Sequence, residues 1–533
     1  MSPLLILLVG LVTVIGCILV LRLHAFLALV LGALVVGMLT PPEAVLQFHI
    51  GADSRRVLER ADQWTIEGSK SDVALTEQLV AIEGFGESRT VTKLDQTADG
   101  ESIKVVKVNG TEFSDDAKIV SLSSYNAALT ASKSSIFGRL TSGLGSTCGK
   151  IGLLIAFASI IGYCLHSSGA AERIVTSMLK ITGERGAPIG FMLSGFLLGI
   201  PVFFDTVFYL MIPLGQALHR KTGRSYLMYV LSIVAGATMA HSLVPPTPGP
   251  LFVAEQLQVD IGVMMVGGSL VGLATLLVGY AWAMFITRNG ELQLPADAEP
   301  IASPDRKLPP LALSLAPILI PVALISLPLT LKATGSSLGA SVDQILGTLG
   351  NKNTALAIAA AFAILLAKLY RTDEQAALSS SLENALSSAG IIILITSAGG
   401  AFGAMLRSSG LSLAGLVEEG ATPVMLVTLA FVATTVIRTA QGSATVAMMT
   451  AVGIFGPLVG GELGFHPIYL ALAIGAGSKP IAWMNDSGFW VITRMSGMTE
   501  SQGLRYVTPM TALMGAAALG LLLVGVTYFP NPI

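Results

Sequence analysis

Long apolar stretches separated by short polar ones run through most of this chain. A helix needs ~20 apolar residues to cross a bilayer. Stretches of that kind cover residues 3–22, 25–47, 148–166, 225–240, 260–287, 309–330, 353–370, 387–406, 467–480 and 506–528. The stretch at 225 resumes after a proline run and reaches 257, and the one at 467 resumes after Asn485-Asp486-Ser487-Gly488 and reaches 495. Two others, 188–218 and 422–460, are too long for one crossing and are interrupted at GIPVFFD and RTAQGSA. Residues 48–140 are different: they are polar, and KVVKVNGTEF (104–113) alternates around an Asn-Gly pair that predicts a hairpin. ADQWTIEG and AKIVSLSS are further strand candidates. IFGRLTSGLGS (136–146) reads as an interfacial segment leading back into the membrane, and NALSSAG (384–390) occupies the matching place later in the chain. The pattern predicts an all-α polytopic membrane protein with a small soluble insert.

Lys and Arg concentrate in cytoplasmic loops. HRKTGR (219–224), the segment 288–307 and KLYR (368–371) are therefore placed inside, with Arg22 and the loop 168–187. The N-terminus and 48–140 then fall outside. Because 168–187 and 219–224 share a side, 188–218 enters and leaves by one face as a re-entrant hairpin. The stretch 422–460, between acidic loops at Glu418, Glu419 and Glu462, mirrors it from the other face. A faint repeat accompanies this symmetry. GYCLHSSGA (162–170) and GAMLRSSGL (403–411) lie 241 residues apart, and at that offset Pro201 meets Gly442, Gly236 meets Gly477 and Pro245 meets Asp486. Each half holds five crossings, one hairpin and one broken helix, and an odd number of crossings inserts the halves as inverted repeats. The expected organisation is two crossings in 1–47, a soluble external insert at 48–140, and the rest of the first repeat at 141–287 with its broken helix at 225–257. A cytoplasmic linker at 288–308 and a second repeat at 309–533, broken at 467–495, complete it.

Composition narrows the class. The chain is 53% hydrophobic and 12% charged, against roughly 25% charged residues in a soluble domain. Of its 64 Asp, Glu, Lys and Arg residues, 25 lie between Asp53 and Arg139, so the remainder is more apolar still. A net charge of −2 gives no footing for nucleic acid. Cys17, Cys148 and Cys164 lie in or beside apolar segments without metal-ligand spacing, so neither a metal nor a disulfide framework is expected. The N-terminus lacks a basic leader region and a cleavage site and reads as a retained helix. No Walker A, H-E-x-x-H or G-x-S-x-G motif occurs. This excludes the common hydrolase classes and a built-in ATPase, leaving a gradient-driven carrier without a cofactor. The insert itself fits a structural loop domain or a module that senses a ligand or docks a partner.

The interruptions carry the candidate chemistry. In HSLVPPTPGP, Pro245, Pro246, Pro248 and Pro250 with Gly249 stop a helix inside the membrane, where unsatisfied backbone groups are costly. Pro201, Gly442 and Gly488 mark the other interruptions. A substrate or ion satisfies the freed backbone groups; a simple kink is the alternative. Four charged residues sit at these points: Asp205, Arg438, Lys479 and Asp486. Each costs roughly 2.5–3.5 kcal/mol to insert, which makes it a functional candidate by default. Arg438 fits a clamp for a substrate carboxylate, since a planar guanidinium matches it with two parallel hydrogen bonds. It equally fits a structural tie to backbone carbonyls or an acid. Lys479 adds a second cation. Gln441, Ser443 and Thr445, at a helix start, and Thr247, Asn485 and Ser487, around the breaks, supply neutral groups for a carboxylate and hydroxyls. Asp205 lies among aromatics in PVFFDTVFY, where desolvation disfavours the charged form, as a proton carrier requires. A salt bridge to Arg438 or Lys479 is its other reading. Asp486 and His241 are further proton candidates, and His241 fits a cap of the break equally well.

Taken together, HAFLAL (24–29), GIPVFFD (199–205), HSLVPPTPGP (241–250), AGGAFGAMLRSSG (398–410), AQGSATVAM (440–448), AIGAGS (473–478) and NDSGFW (485–490) resemble the gluconate permease family of proton symporters, within the wider ion-transporter superfamily. The resemblance implies an importer of gluconate or a related hydroxy-acid in a bacterial cytoplasmic membrane, coupled to protons. It also implies a scaffold-plus-transport-domain fold moving as an elevator in a homodimer. Three positions depart from the family pattern. Thr247 stands where the family usually has the histidine of VPPHPGP, Trp483 stands near where it commonly has one before VNDSG, and Lys479 follows GAGS where a neutral residue is expected. A sodium-coupled carboxylate carrier is a second reading. A transporter-like sensor using the insert is a third, from a different class.

Overall fold

The computed structural model describes residues 3–531 apart from 22, 54–56, 61–62, 67–78, 84–89, 100–102, 108–117, 296–307, 334–338, 371–377, 410–421, 457–462 and 485. The Asn109-Gly110 turn, most of the linker 288–308 and the acidic loops at Glu418, Glu419 and Glu462 lie outside the described residues. The chain forms two compact units. Residues 1–14, 30–143 and 401–412 make one, and residues 15–29, 144–400 and 413–533 make the other.

The chain opens with α1 (Pro3–Leu19) and α2 (Ala25–Leu39), of which residues 3–14 and 30–39 belong to the first unit. The apolar stretch expected to cross as 25–47 does not continue as one helix. It stops at Leu39, and α3 (Pro42–Asp53) leaves at an angle of 98°. Pro41 and Pro42 explain the turn, since neither can donate to a preceding carbonyl. A six-stranded antiparallel sheet follows, of β1 (Val57–Arg60), β2 (Gln63–Ile66), β3 (Leu79–Glu83), β4 (Thr90–Asp99), β5 (Ile103–Lys107) and β6 (Lys118–Ser121), in the order β1-β2-β5-β4-β3-β6. Of the hairpin expected within 104–113, only residues 104–107 are described. β5 pairs with β2 and β4, and β6 pairs with β3. The Ser121 hydroxyl caps α4 (Leu122–Lys133) by accepting from the Ser124 N–H. Leu46 and Ile50 of α3, Ile82, Val120, and Tyr125 and Ala128 of α4 share a small buried core. This core joins the two helices to β3 and β6 of the sheet.

The chain then enters α5 (Ile136–Ser167), a single helix. The segment 136–146, expected to lie at the interface, is its first three turns. NALSSAG is likewise internal to α14 (Leu378–Ser408).

The second unit contains a large buried core. α6 (Ala170–Gly199) and α7 (Phe204–Thr222) form a hairpin whose tip holds Pro201. Residues 168–187, expected as a loop, are largely helical. Gly183, at φ 65°, divides α6 into two arms, a conformation that glycine adopts without a Cβ penalty. α8 (Tyr226–Leu243) and α9 (Pro248–Gln256) are separated by Val244–Thr247, and α10 (Ile261–Ile286) follows. α8 packs closely on α6: a Cβ on Gly236 would lie 2.0 Å from the Met192 carbonyl oxygen. After α11 (Leu311–Ala333), α12 (Ala340–Leu349), α13 (Lys352–Leu369) and α14 comes a second hairpin. Its arms are α15 (Pro423–Gln441) and α16 (Ala444–Phe455), joined at Gly442, φ 80°, and Ser443, whose hydroxyl accepts from the Val446 N–H. α17 (Ile468–Gly477), α18 (Ser487–Ser496) and α19 (Glu500–Tyr528) close the chain.

The second break opens earlier than expected. It begins at Ser478, not at Asn485, and takes in Lys479 and Pro480. At the 241-residue offset Gly236 matches Gly477, yet α8 continues for seven residues beyond Gly236 while α17 ends at Gly477. Pro480 supplies the difference by barring the next helical turn. Among the described residues, six helices are long and apolar enough to cross a membrane, counting α8 with α9 as one.

Candidate functional site

A cavity of about 380 Å³ lies in the second unit where the α7 start, both breaks and the second hairpin converge. Its wall includes Asp205, His241, Arg438, Ser443, Thr445, Lys479, Asp486 and Gly488. Residues far apart in sequence are thus brought together around one space. Helix ends place the charges. Asp205 sits in the first turn of α7, and Arg438 in the last turn of α15. The positive N-terminal and negative C-terminal ends of those helices favour these signs.

The ionic geometry distinguishes the two cations. Arg438 is buried. Its Nη2 pairs with the Asp486 carboxylate, its Nε donates to the Ser478 carbonyl at 3.0 Å, and its Nη1 has no hydrogen-bond partner among the described residues. The tie to an acid and a carbonyl is therefore present. Asp486 also caps α18, its Oδ1 accepting from the Gly488 N–H at 2.9 Å. The salt bridge expected as one reading of Asp205 is absent among the described residues, since Arg438 is matched by Asp486 instead. Lys479 is buried too, yet its Nζ donates only to the Thr238 carbonyl at 3.0 Å and forms no ion pair among the described residues. Thr238 and Lys479 are themselves 241 residues apart. His241 faces the Phe203 ring edge at 6.3 Å between centroids, and its Nδ1 is buried without a hydrogen-bond partner among the described residues.

The loop of the second break is pinned from several sides. The Trp483 Nε1 donates to the Thr439 carbonyl at 2.9 Å, the Trp490 Nε1 to the Met484 carbonyl at 2.7 Å, and the Thr508 hydroxyl to the Ala482 carbonyl. Ile481 is held at φ 58°, a left-handed conformation that is rare for a β-branched residue.

Some expected site residues fall elsewhere. Thr247 is buried off the cavity, and its hydroxyl donates to the Val244 carbonyl at 2.7 Å or the His241 carbonyl at 3.0 Å. A short hydroxyl that reaches its own loop's carbonyls stabilises the break and is not presented to a ligand. Gln441 ends α15 and Ser487 begins α18, but their side chains lie outside what is described, as does all of Asn485. Pro201, Pro245, Pro246, Pro248, Gly249, Pro250 and Gly442 shape the backbone and do not line the cavity. Gly249 has a packing reason: a Cβ there would lie 2.1 Å from the Met448 Cε.

Sequence reasoning missed Tyr163, Thr206, Thr238, Ser388 and Thr511, which also line the cavity. Tyr163 and Ser388 lie inside uninterrupted apolar helices, where a single hydroxyl gives no signal of a site.

The GntP family permease pattern matches residues 119–527. The low-affinity gluconate transporter of Escherichia coli (strain K12) is 30% identical over 384 residues, covering 71% of this chain and 86% of that protein. The D-serine transporter DsdX of the same strain is 31% identical over 386 residues, with the same coverage. Among solved structures, that of the Alcanivorax borkumensis YdaH transporter, which has an unusual topology, aligns with a TM-score of 0.53 at 18% identity, covering 74% of this chain and 89% of that one. That likeness is one of fold. With six membrane-length apolar helices and relatives that are permeases rather than enzymes, this multi-pass membrane chain belongs to the GntP permease family.

Proposed function

We propose that the chain imports gluconate or a related small hydroxy-carboxylate by proton symport, using the cavity at the two breaks. The charge inventory of the cavity carries this reading. Arg438 and Lys479 balance Asp205 and Asp486 when all four are ionised. A monocarboxylate then brings an uncompensated negative charge into a site of low polarity, and a proton on Asp205 restores neutrality. Arg438 is already committed to Asp486, so Lys479 is the principal anchor for the incoming carboxylate, with the Arg438 Nη1 as a second donor. Ser443 and Thr445 face the same space and hydrogen-bond hydroxyls, with Gln441, Asn485 and Ser487 as neighbours in sequence. Gluconate and D-serine, the substrates for which two relatives are named, both carry a carboxylate and a hydroxyl, which supports this substrate class.

The two hairpins and two breaks support an inverted-repeat architecture, with residues 48–140 as an external insert and 288–308 as a cytoplasmic linker. In this reading the protein sits in a bacterial cytoplasmic membrane as a homodimer. Uptake of labelled gluconate and glycerate into vesicles carrying the full chain tests the proposal. Accumulation should follow an imposed pH gradient and collapse with a protonophore. Asp205→Asn, a neutral stand-in for the protonated acid, should still exchange gluconate across the membrane but lose gradient-driven accumulation. Sodium-dependent uptake that ignores a protonophore would overturn proton coupling. Failure of both acids to enter would overturn the substrate class.

A further inference from the structure

The hydroxyls around the cavity are not equivalent. Thr238 donates its proton to the Val234 carbonyl at 2.7 Å, and Thr511 donates to the Thr508 carbonyl at 3.0 Å. Both spend their one donor on their own helix. Ser443 accepts from the Val446 N–H as the cap of α16 and keeps its own proton. Tyr163 of α5 and Ser388 of α14 instead bond each other, 3.2 Å apart, across 225 residues of sequence. That is longer than the ~2.7–2.8 Å usual between hydroxyls.

Two hydroxyls hold two donors and four acceptor lone pairs. Their mutual bond uses one of each, so one donor and three lone pairs are left at the cavity wall. A polar pair in a membrane-spanning segment, with groups to spare and open to a cavity, is placed to bind a ligand that enters.

Building on the substrate class proposed above, we infer that Tyr163 and Ser388 form a substrate-binding pair that recognises the hydroxylated carbons of the acid. A substrate hydroxyl accepts the spare proton and donates to a free lone pair, so the pair reads the presence of a hydroxyl. An unsubstituted acyl chain of equal length leaves both groups unmatched. The pair therefore sets selectivity for hydroxylated over plain carboxylic acids, while the cationic end holds either.

The test is competition against labelled gluconate exchange in vesicles with the full chain, comparing unlabelled gluconate with hexanoate, which has the same six carbons but no hydroxyls. Tyr163→Phe and Ser388→Ala keep the volume of the wall nearly constant. Each should weaken gluconate about 5- to 10-fold and leave hexanoate within 2-fold, as expected for one lost hydrogen bond. The double substitution should cost less than the product of the two. Equal weakening of both acids would show that the pair only supports the fold, and unchanged gluconate affinity would show that it faces no substrate; either result overturns the inference while leaving the proposed function standing. A wild-type protein that binds hexanoate as tightly as gluconate refutes the hydroxy-acid reading, and the pair's role falls with it.

Discussion

The pairing of Arg438 with Asp486 makes a prediction that separates fold from transport. Both groups are buried, and Arg438 also holds the Ser478 carbonyl, so the end of α15 is bolted to both margins of the second break. Removing one partner of a buried pair costs about 3–5 kcal/mol, because the other charge is left without compensation. Arg438→Met and Asp486→Leu should each destabilise the protein by an amount in that range. The double substitution leaves no orphan charge and should cost less than the sum. A double-mutant cycle on detergent-solubilised full chain, unfolded by rising mole fraction of a denaturing detergent, reads the coupling directly. It should be about 2–3 kcal/mol, at the upper end of what contacting residues show. Single effects that add to within about 0.5 kcal/mol would mean that the two residues act independently, and the ionic geometry of the site would have to be abandoned. The same experiment bears on transport: uptake lost in Arg438→Ala together with lost stability is a fold defect, not the loss of a substrate clamp.

Further predictions address the other parts of the site. Lys479→Met should keep the protein folded yet weaken gluconate binding by roughly 10- to 100-fold, the loss expected for one charge-assisted hydrogen bond; unchanged binding would remove Lys479 as the carboxylate anchor. Gly236→Ala forces a methyl group to within 2.0 Å of the Met192 carbonyl oxygen and should destabilise the α6–α8 contact, measured as earlier thermal unfolding, by about 1–3 kcal/mol. Gly145→Ala, with nothing within 4 Å of the new carbon, should be neutral or stabilising by up to about 1 kcal/mol through helix propensity. Replacing residues 42–133 by a short flexible linker removes α3, the sheet and α4 together with the core they share; uptake should persist, and its loss at normal membrane levels would make the insert part of the transport machinery.

What the sequence disclosed was set by local physics. Pro201, Pro245 and Gly442 lie in short runs that combine helix breakers with polar or charged residues, so the hairpin tips and the first break were legible, whereas Pro213, Pro317 and Pro509 sit inside helices. Charges at Asp205, Arg438, Lys479 and Asp486 stood out because hydrocarbon makes them expensive. Pairing was not legible: Arg438 had two anionic candidates, Asp205 and Asp486, and only packing decides which one it meets. The early opening of the second break at Ser478 was less legible, because the denser polar run Asn485-Asp486-Ser487 marks the interruption more strongly than Ser478-Lys479-Pro480 does. Tyr163 and Ser388 were invisible for the opposite reason, since a lone hydroxyl is well tolerated in a membrane helix. In the insert, β5 pairs with its sequence neighbour β4 but also with β2, where Trp64 lies opposite Val106, and turn propensity says nothing about a contact between residues so far apart in sequence.

The pinned loop of the second break also has a spectroscopic consequence. The chain has four tryptophans, Trp64, Trp282, Trp483 and Trp490, and two of them anchor this one loop through their indole N–H groups. Half of the tryptophans therefore belong to this one region beside the cavity. With Trp64 and Trp282 replaced by phenylalanine, the remaining fluorescence becomes a built-in reporter of the loop: any rearrangement that releases either indole from its carbonyl alters the emission without an attached dye.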